Sequence, residues 1–177
     1  MSNPSVYVCE GDLTKLKVDA IVTLINSGGM WFGGLDNAIS RVAGTQYHNQ
    51  AQAVDLHNGQ VVVAKKKGLS RGRFEDVIFV VDDLESPLGD LVYAALSAAE
   101  QQGYKSVGFP LMRTGVMLGE VEPDVAAVIQ QMKAGIARFW KEGERAMDIY
   151  IVVYDDPRSA AMLLQDGSML RSMINLR

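Results

Sequence analysis

Six short runs rich in valine and isoleucine govern what this chain can fold into: Val6–Val8, Ala20–Leu24, Val61–Ala64, Val77–Val81, Val107–Phe109 and Ile149–Tyr154. Most are apolar almost without a break. A strand with one wet face alternates apolar and polar side chains, so unbroken runs imply strands covered on both faces. That requirement selects a sheet sandwiched between helices over an open antiparallel sheet.

The intervening segments carry the helices that such a sheet needs. Leu35, Ala38, Ile39, Val42 and Ala43 follow helical spacing, and Gly44 then stops the pattern. Ser86-Pro87 reads as an N-cap with proline at the first helical position. Behind it, Leu88, Leu91, Val92, Ala95 and Ala99 share a face that ends at Gly103. A third helix starts near Glu122-Pro123-Asp124, where acids suit the positive end of the helix dipole. A last helix starts at Pro157. Alternating strands and helices predict a three-layer α/β/α fold. Gln60–Val81 lacks a helical pattern and reads as a hairpin, so the sheet is mixed. With no repeat or low-complexity linker, residues 1–177 read as a single domain.

Composition narrows the partners. Hydrophobic residues make up 48% of the 177, enough for a substantial core. The 17 Lys and Arg face 21 Asp and Glu, a net charge of −4 that disfavours bulk nucleic acid as the main partner. Cys9 is the one cysteine and excludes an internal disulfide. With only two histidines beside it, a structural zinc site is not expected. Met1–Glu10 has neither a basic start nor a long apolar run, and no stretch approaches the length of a membrane span. The expectation is a cytoplasmic protein without membrane contact, metal or resident cofactor.

Two glycine-bearing loops hold the unusual chemistry. Asn26-Ser27-Gly28-Gly29-Met30-Trp31-Phe32-Gly33-Gly34-Leu35-Asp36 joins a strand to a helix. Backbone N–H groups in such a loop, together with a helix N-terminus, can hold a phosphate, although a plain turn would look the same. Gly28 and Gly33 mimic the spacing of a Walker A loop. Gly34-Leu35 stands where Lys-Ser/Thr is required, which argues against an NTPase. No G-x-G-x-x-G fingerprint is present. The second loop, Phe109–Gly119, also follows a strand and precedes a helix. Two such loops on one rim could clamp a diphosphate from both sides.

In order along the chain, five pieces resemble the macro domains, a family of ADP-ribose-binding modules. They are Gly11-Asp12-Leu13-Thr14 through Val18-Asp19-Ala20-Ile21-Val22; Asn26 and Gly33–Gly44; the segment from Gly59 to Ile78; Phe109-Pro110 with Thr114-Gly115-Val116; and Tyr150–Asp156. The resemblance implies a six-stranded mixed sheet between helices, with ADP-ribose lying across its crest. Asp12 matches the aspartate that accepts from the adenine amino group, although an Asx turn or N-cap before Lys15 is its plain alternative. Leu13 adjoins it. Tyr154 or its neighbours match the region supporting the adenine face, unless Tyr154 belongs to the core. Gly33, Gly34, Thr114, Gly115 and Val116 match the phosphate loops. Asn26 and Asp36 match the pair that the family's hydrolases place at the distal ribose. There Asn26 would hold a hydroxyl and Asp36 would orient or activate a water, unless Asp36 is simply a first-turn helix acid.

The sequence also departs from the family pattern. Thr23 replaces the first asparagine of Asn-x-x-Asn, and Trp31-Phe32 displaces two glycines. Ser40 stands where hydrolases often carry histidine. Arg113 replaces a small serine, and Met117-Leu118 replaces an aromatic-glycine pair. Arg113 reads equally well as a charged fork for the diphosphate or as a side chain that faces solvent or fills the cleft. Lys65–Arg73, with five basic residues, is either a solvated hairpin tip or a polyanion contact. Asp82-Asp83 and Asp155-Asp156 read as solvated charges.

Two functions are compatible with these residues. One is an ADP-ribose-binding module that hydrolyses mono-ADP-ribose from protein or a small ADP-ribose derivative. The other is a catalytically inactive relative whose remodelled cleft takes another nucleotide, RNA or a protein partner.

Overall fold

A computed structural model describes residues 5–30, 34–115, 117–142 and 146–177. Among them, one mixed sheet contains β1 (Val6–Glu10), β2 (Ala20–Ile25), β3 (Val61–Ala64), β4 (Asp76–Val81), β5 (Ser106–Pro110), β6 (Asp148–Val153) and β7 (Leu170–Arg171). The strand order is β3-β4-β2-β5-β6-β1-β7. Only the β3–β4 pair is antiparallel, which is the hairpin expected between Gln60 and Val81. The sheet therefore has seven strands where the sequence predicts six. The addition is β7, two residues from the terminal segment, which carries no strand-length apolar run of its own. It pairs in parallel with Tyr7 and Val8 of β1, and beyond it the buried Leu176 forms a parallel bridge with Gly11.

Alternate residues of the central strands serve cores on opposite faces. Ala20, Val22, Leu24, Ile78 and Val80 join one core, with side chains from α3 (Leu88–Gln101), α4 (Val125–Lys141) and α5 (Pro157–Leu164). Ile21, Ile25, Val77, Phe79 and Val81 join the other, under α1 (Gly34–Ala43) and α2 (Gln46–Gln52). All six residues of β2 and all six of β4 are buried, which accounts for their largely apolar sequences. No helix among the described residues is long and apolar enough to cross a membrane.

One helix start differs from the sequence reading, and one helix is absent from it. The α3 helix begins at Leu88 with Pro87 in the cap position and no side-chain cap from its own flank. Its first N–H groups are instead accepted from a distance, Leu88 by Glu122 Oε1 at 3.1 Å and Gly89 by Gln131 Oε1 at 3.2 Å. The α2 helix is too polar to betray itself by periodicity, yet it buries Tyr47, His48 and Ala51. Its Gln46 and Gln50 side chains clamp the backbone of the basic loop. Gln50 Nε2 donates to the Lys65 carbonyl at 2.7 Å, and Gln46 Oε1 accepts from the N–H groups of Lys67 and Gly68, both at 2.9 Å.

Candidate functional site

The site lies where the chain changes direction across the sheet. After β2 the chain passes to α1 on one face, and after β5 it passes to α4 on the other. Strands β2 and β5 are neighbours and parallel. Their C-terminal ends therefore open onto a crevice at a topological switch point, where open α/β sheets bind ligands. Both glycine-bearing loops flank this crevice.

The crevice has two chambers. The larger, about 520 Å³, is bordered by Asp12, Leu13, Arg41, Val153, Tyr154 and Asp156. The smaller, about 190 Å³, is bordered by Thr23, Asp36, Asp82, Met112, Arg113 and Met117. Gly34, Leu35, Pro110, Leu111, Thr114 and Gly115 border both, so the chambers adjoin across the residues read as phosphate loops. Trp31, Phe32, Gly33 and Val116, all singled out in the sequence, lie outside the described residues.

In the smaller chamber the acid is held by its neighbours. Thr23 Oγ1 donates to Asp36 Oδ1 at 2.8 Å, and both residues are 3% exposed. Arg113 forms the chamber's other charged feature. Its Nε donates to Asp82 Oδ2 at 2.9 Å and its Nη2 to Asp82 Oδ1 at 2.7 Å. Nη1 reaches both oxygens of Glu122, at 3.0 and 2.9 Å, and Nη2 also reaches the Ser86 carbonyl at 2.8 Å. Nε and both N–H groups of Nη2 are thus engaged, and Nη1 turns toward the Glu122 carboxylate. Burial alone would weaken the charge of Arg113. The hydrogen bonds and charges of Asp82 and Glu122 outweigh it and raise the pKa above its ordinary value.

The free-fork reading of Arg113 therefore gives way to an internal ion triad, and its side chain does not reach solvent. Asp82, read from sequence as a solvated charge, is 1% exposed and belongs to the same triad. Asp156 is likewise engaged: it caps α5 by accepting from Ser159 N–H at 3.1 Å.

At the opposite end, Asp12 Oδ1 accepts from Thr14 N–H at 2.9 Å and from Thr14 Oγ1 at 2.7 Å. This is the capping role weighed as the alternative for Asp12, and the residue nevertheless borders the larger chamber. Its own N–H donates to the Leu176 carbonyl at 3.0 Å. Tyr154 is 79% exposed at the rim, so it is not a core residue. Asn26 closes a tight turn: its Oδ1 accepts from Met30 N–H at 3.0 Å, and its carbonyl accepts from Gly29 N–H at 2.9 Å. The side chain is thereby tied into the loop at the end of β2, and Asn26 does not border either chamber. His48 Nε2 supports the same turn at 3.3 Å from the Gly29 carbonyl. Burial lowers the His48 pKa to about 4, which keeps the ring neutral near pH 7. Among the described residues, no three His, Cys, Asp or Glu side chains converge to hold a metal.

The macro domain family's profile matches residues 22–129, more than half of the chain. The chain belongs to the macro domain family. Relatives agree across nearly its full length. An O-acetyl-ADP-ribose deacetylase from Escherichia fergusonii is 32% identical over 92% of this chain and 97% of its own. One from Citrobacter rodentium is 30% identical over 87% of this chain and 90% of its own. The Trypanosoma brucei macrodomain in complex with ADP-ribose superposes with a TM-score of 0.77 at 23% identity, covering 92% of this chain and 68% of that one. The Oceanobacillus iheyensis macrodomain with ADP gives 0.70 at 20% identity, covering 90% and 88%. At those identities the two structures establish the shared fold.

Within this macro domain, several residues bordering the crevice escape sequence reasoning. Arg41, Asp82 and Asp156 border it, although none of the three reads from the sequence as a ligand contact. One signal pointed to the ion triad: an arginine in the otherwise apolar stretch Phe109–Met117 needs a buried counter-charge. Which carboxylate supplies it depends on the alignment of β2 with β4, which brings Asp82 to the rim.

Proposed function

We propose that this macro domain acts as a single module that binds ADP-ribose and hydrolyses an ester carried on its distal ribose. The observation that carries the reading is the pair of chambers, with Asp12 in one, Asp36 in the other and the loop residues Gly34, Thr114 and Gly115 between them. The larger chamber falls within the usual size range of small-molecule sites, about 300–1,000 Å³. Asp12 receives the adenine amino group on Oδ2, since Oδ1 already caps Thr14. Tyr154 covers the rim, and Leu13 forms part of the wall. The N-terminus of α1 and the backbone N–H groups of Gly33, Gly34, Thr114, Gly115 and Val116 hold the diphosphate. Asp36 orients a water at the distal ribose, Met117 packs beside the sugar, and Asn26 acts through the turn it closes at the end of β2. Positioned base assistance of this kind contributes about 10²–10⁴ in rate.

The names of the full-length relatives support an acyl ester as substrate. ADP-ribose carried on an acidic side chain of another protein presents the same linkage. The same reading takes the protein to act in the cytoplasm.

Titration calorimetry with ADP-ribose on the wild type and Asp12→Ala tests the binding step. Micromolar binding weakened by the substitution is expected, and millimolar or weaker binding by the wild type removes the reading.

A second reading rests on one observation: Asp36 and Asn26 both make hydrogen bonds within the protein. If those bonds persist when ligand binds, the module recognises ADP-ribose without turnover. Incubation with O-acetyl-ADP-ribose separates the two. Acetate release that disappears in Asp36→Ala identifies the enzyme, and binding without release identifies the reader.

A further inference from the structure

Hydrogen bonds along the backbone gather seven of the chain's 17 lysines and arginines onto one flank. Arg71 N–H donates to the Val42 carbonyl at 2.8 Å and Arg71 Nη2 to the Arg41 carbonyl at 2.6 Å, which sets the basic loop against the end of α1. Arg73 N–H donates to the Thr14 carbonyl at 2.9 Å, which sets the same loop beside Lys15 and Lys17. The clamp of Gln46 and Gln50 fixes the limb that carries Lys66 and Lys67. All seven residues are exposed, and none forms an ion pair with a described residue. Lys65 stands apart: its Nζ donates to Tyr104 Oη at 3.0 Å and lies 3.4 Å from Asp76. Of the other carboxylates on these segments, Asp12 and Asp19 accept backbone N–H groups, and Glu75 is exposed. The net charge of −4 therefore averages two unlike surfaces.

We propose that this flank binds the sugar-phosphate backbone of a nucleic-acid duplex without reading its sequence. The partner must be anionic, and the make-up of the flank selects among anions. A protein partner or a bilayer surface calls for an apolar centre or an apolar face. The one large apolar side chain exposed on the flank is Leu69, at the tip of the loop. Nucleic-acid interfaces are more polar and far more positively charged, as this flank is. Unpaired bases would need aromatic rings to stack on. Tyr47 and Phe74 beneath the flank are buried, and the Tyr104 ring lies under the Lys65 ammonium at 4.9 Å. What the flank offers is charge held in place, including three arginines, the side chain best matched to phosphate. Leu16 is extended, so Lys15 and Lys17 on either side of it stand about 6.5 Å apart, close to the step between successive phosphates of one strand. Fixing the loop in advance also lowers the ordering cost of binding. The proposal is independent of the ADP-ribose reading, although Arg41 also borders the larger chamber and so joins the flank to the crevice.

Fluorescence anisotropy with labelled duplexes of about 20 base pairs, one RNA and one DNA, tests the proposal, beside a single strand of the same length. A duplex should bind at about 50 mM salt and lose about a hundredfold or more in affinity by about 200 mM, a log–log slope of about −4 to −6. Lys17→Gln and Arg73→Gln should each weaken binding about threefold or more and flatten that slope by about one. Lys141→Gln removes the same charge from α4, which packs on the opposite core, and should change affinity less than about twofold. Thermal melts check that the variants are folded, and the wild-type salt slope decides the question for any that is not. Equal binding of the two duplexes assigns the phosphates as the ligand, and tighter binding of RNA assigns its A-form shape and 2′-hydroxyls; both uphold the proposal. Absence of duplex binding at about 50 mM salt overturns it, as do equal losses in Lys141→Gln and tighter binding of the single strand. Binding to vesicles containing phosphatidylserine that is lost in Leu69→Ser, with no binding to a duplex, overturns it in favour of a membrane contact. Calorimetry with ADP-ribose reports on the crevice separately, so failure there leaves this proposal standing.

Discussion

The hydroxyl of Thr23 and the carboxylate of Asp36 form a 2.8 Å hydrogen bond that joins the middle of β2 to the first turn of α1. Thr23 is one of the residues at which the chain departs from its family's pattern, and Asp36 is one at which it agrees. Their contact makes the departure and the agreement parts of one device, in which a β-branched hydroxyl on a buried strand orients the acid at the chamber. Thr23→Val keeps the shape and removes the donor. We expect it to lower stability by about 1–3 kcal/mol, because a buried carboxylate loses a partner. Hydrolysis should slow through kcat, while the affinity for ADP-ribose changes little. Thr23→Ser should restore most of the rate. Steady-state kinetics on the two variants, with urea melts alongside, checks this.

The triad of Asp82, Arg113 and Glu122 ties together the loop after β4, the loop after β5 and the N-terminus of α3. Removing its cation leaves two buried carboxylates uncompensated. Arg113→Met should cost about 3–5 kcal/mol in chemical denaturation. Arg113→Lys should not rescue it, since a point charge cannot serve two carboxylates in the planar geometry of a fork. Arg113 also holds a left-handed backbone, with φ of 55°. Arg113→Gly relieves that strain, yet should still unfold at lower urea than the wild type if the triad dominates.

Burial of His48 makes stability depend on pH. Its pKa is lowered to about 4 in the folded protein, against about 6.5 when unfolded. Between these values the unfolded chain binds the extra proton. The contribution of the neutral ring is therefore complete above pH 6.5 and is lost progressively as pH falls toward 4. Urea midpoints at pH 7, 5.5 and 4.5 should fall in that order. In His48→Gln the decline attributable to this site should flatten. An unchanged slope would place the titration elsewhere.

The α3 and α4 helices approach closely at a pair of glycines. A Cβ added to Gly135 would lie 2.5 Å from the Gly89 carbonyl oxygen and 2.9 Å from Val92 Cβ. Gly135→Val should force the helices apart and cost at least the 1–3 kcal/mol typical of overpacking. A lowered melting temperature would show it. Neither glycine borders the crevice, so ADP-ribose affinity below the melt should persist.

Leu176 reaches the Asp12 turn at one end of the crevice from the opposite end of the chain. It is 2% exposed, and its carbonyl accepts from Asp12 N–H at 3.0 Å. Gly11 packs so tightly against it that an added Cβ would lie 2.5 Å from the Leu176 oxygen. Deleting residues 175–177 should loosen the Asp12 turn and weaken ADP-ribose binding by about tenfold. Ribose 5-phosphate, which has no adenine, should bind with unchanged affinity. Equal losses for both ligands would mean that the tail supports the fold and not the turn.

The layered fold was legible in the amino-acid sequence because its cause is local. Largely apolar runs such as Ala20–Leu24 and Val77–Val81 call for cover on both faces, and the helices that cover them repeat their apolar residues within a few positions. Asp12, Gly34, Thr114 and Gly115 were legible too, since each sits in a motif that the chain carries in one piece. The partnerships were not. Thr23 with Asp36, Arg113 with Asp82 and Glu122, and Asp12 with Leu176 join residues separated by up to most of the chain. Strand order and register decide which of them meet. A charge in a sequence does not reveal whether water or a buried counter-ion will satisfy it. Tertiary packing therefore turned Arg113 from an available phosphate ligand into an internal ion.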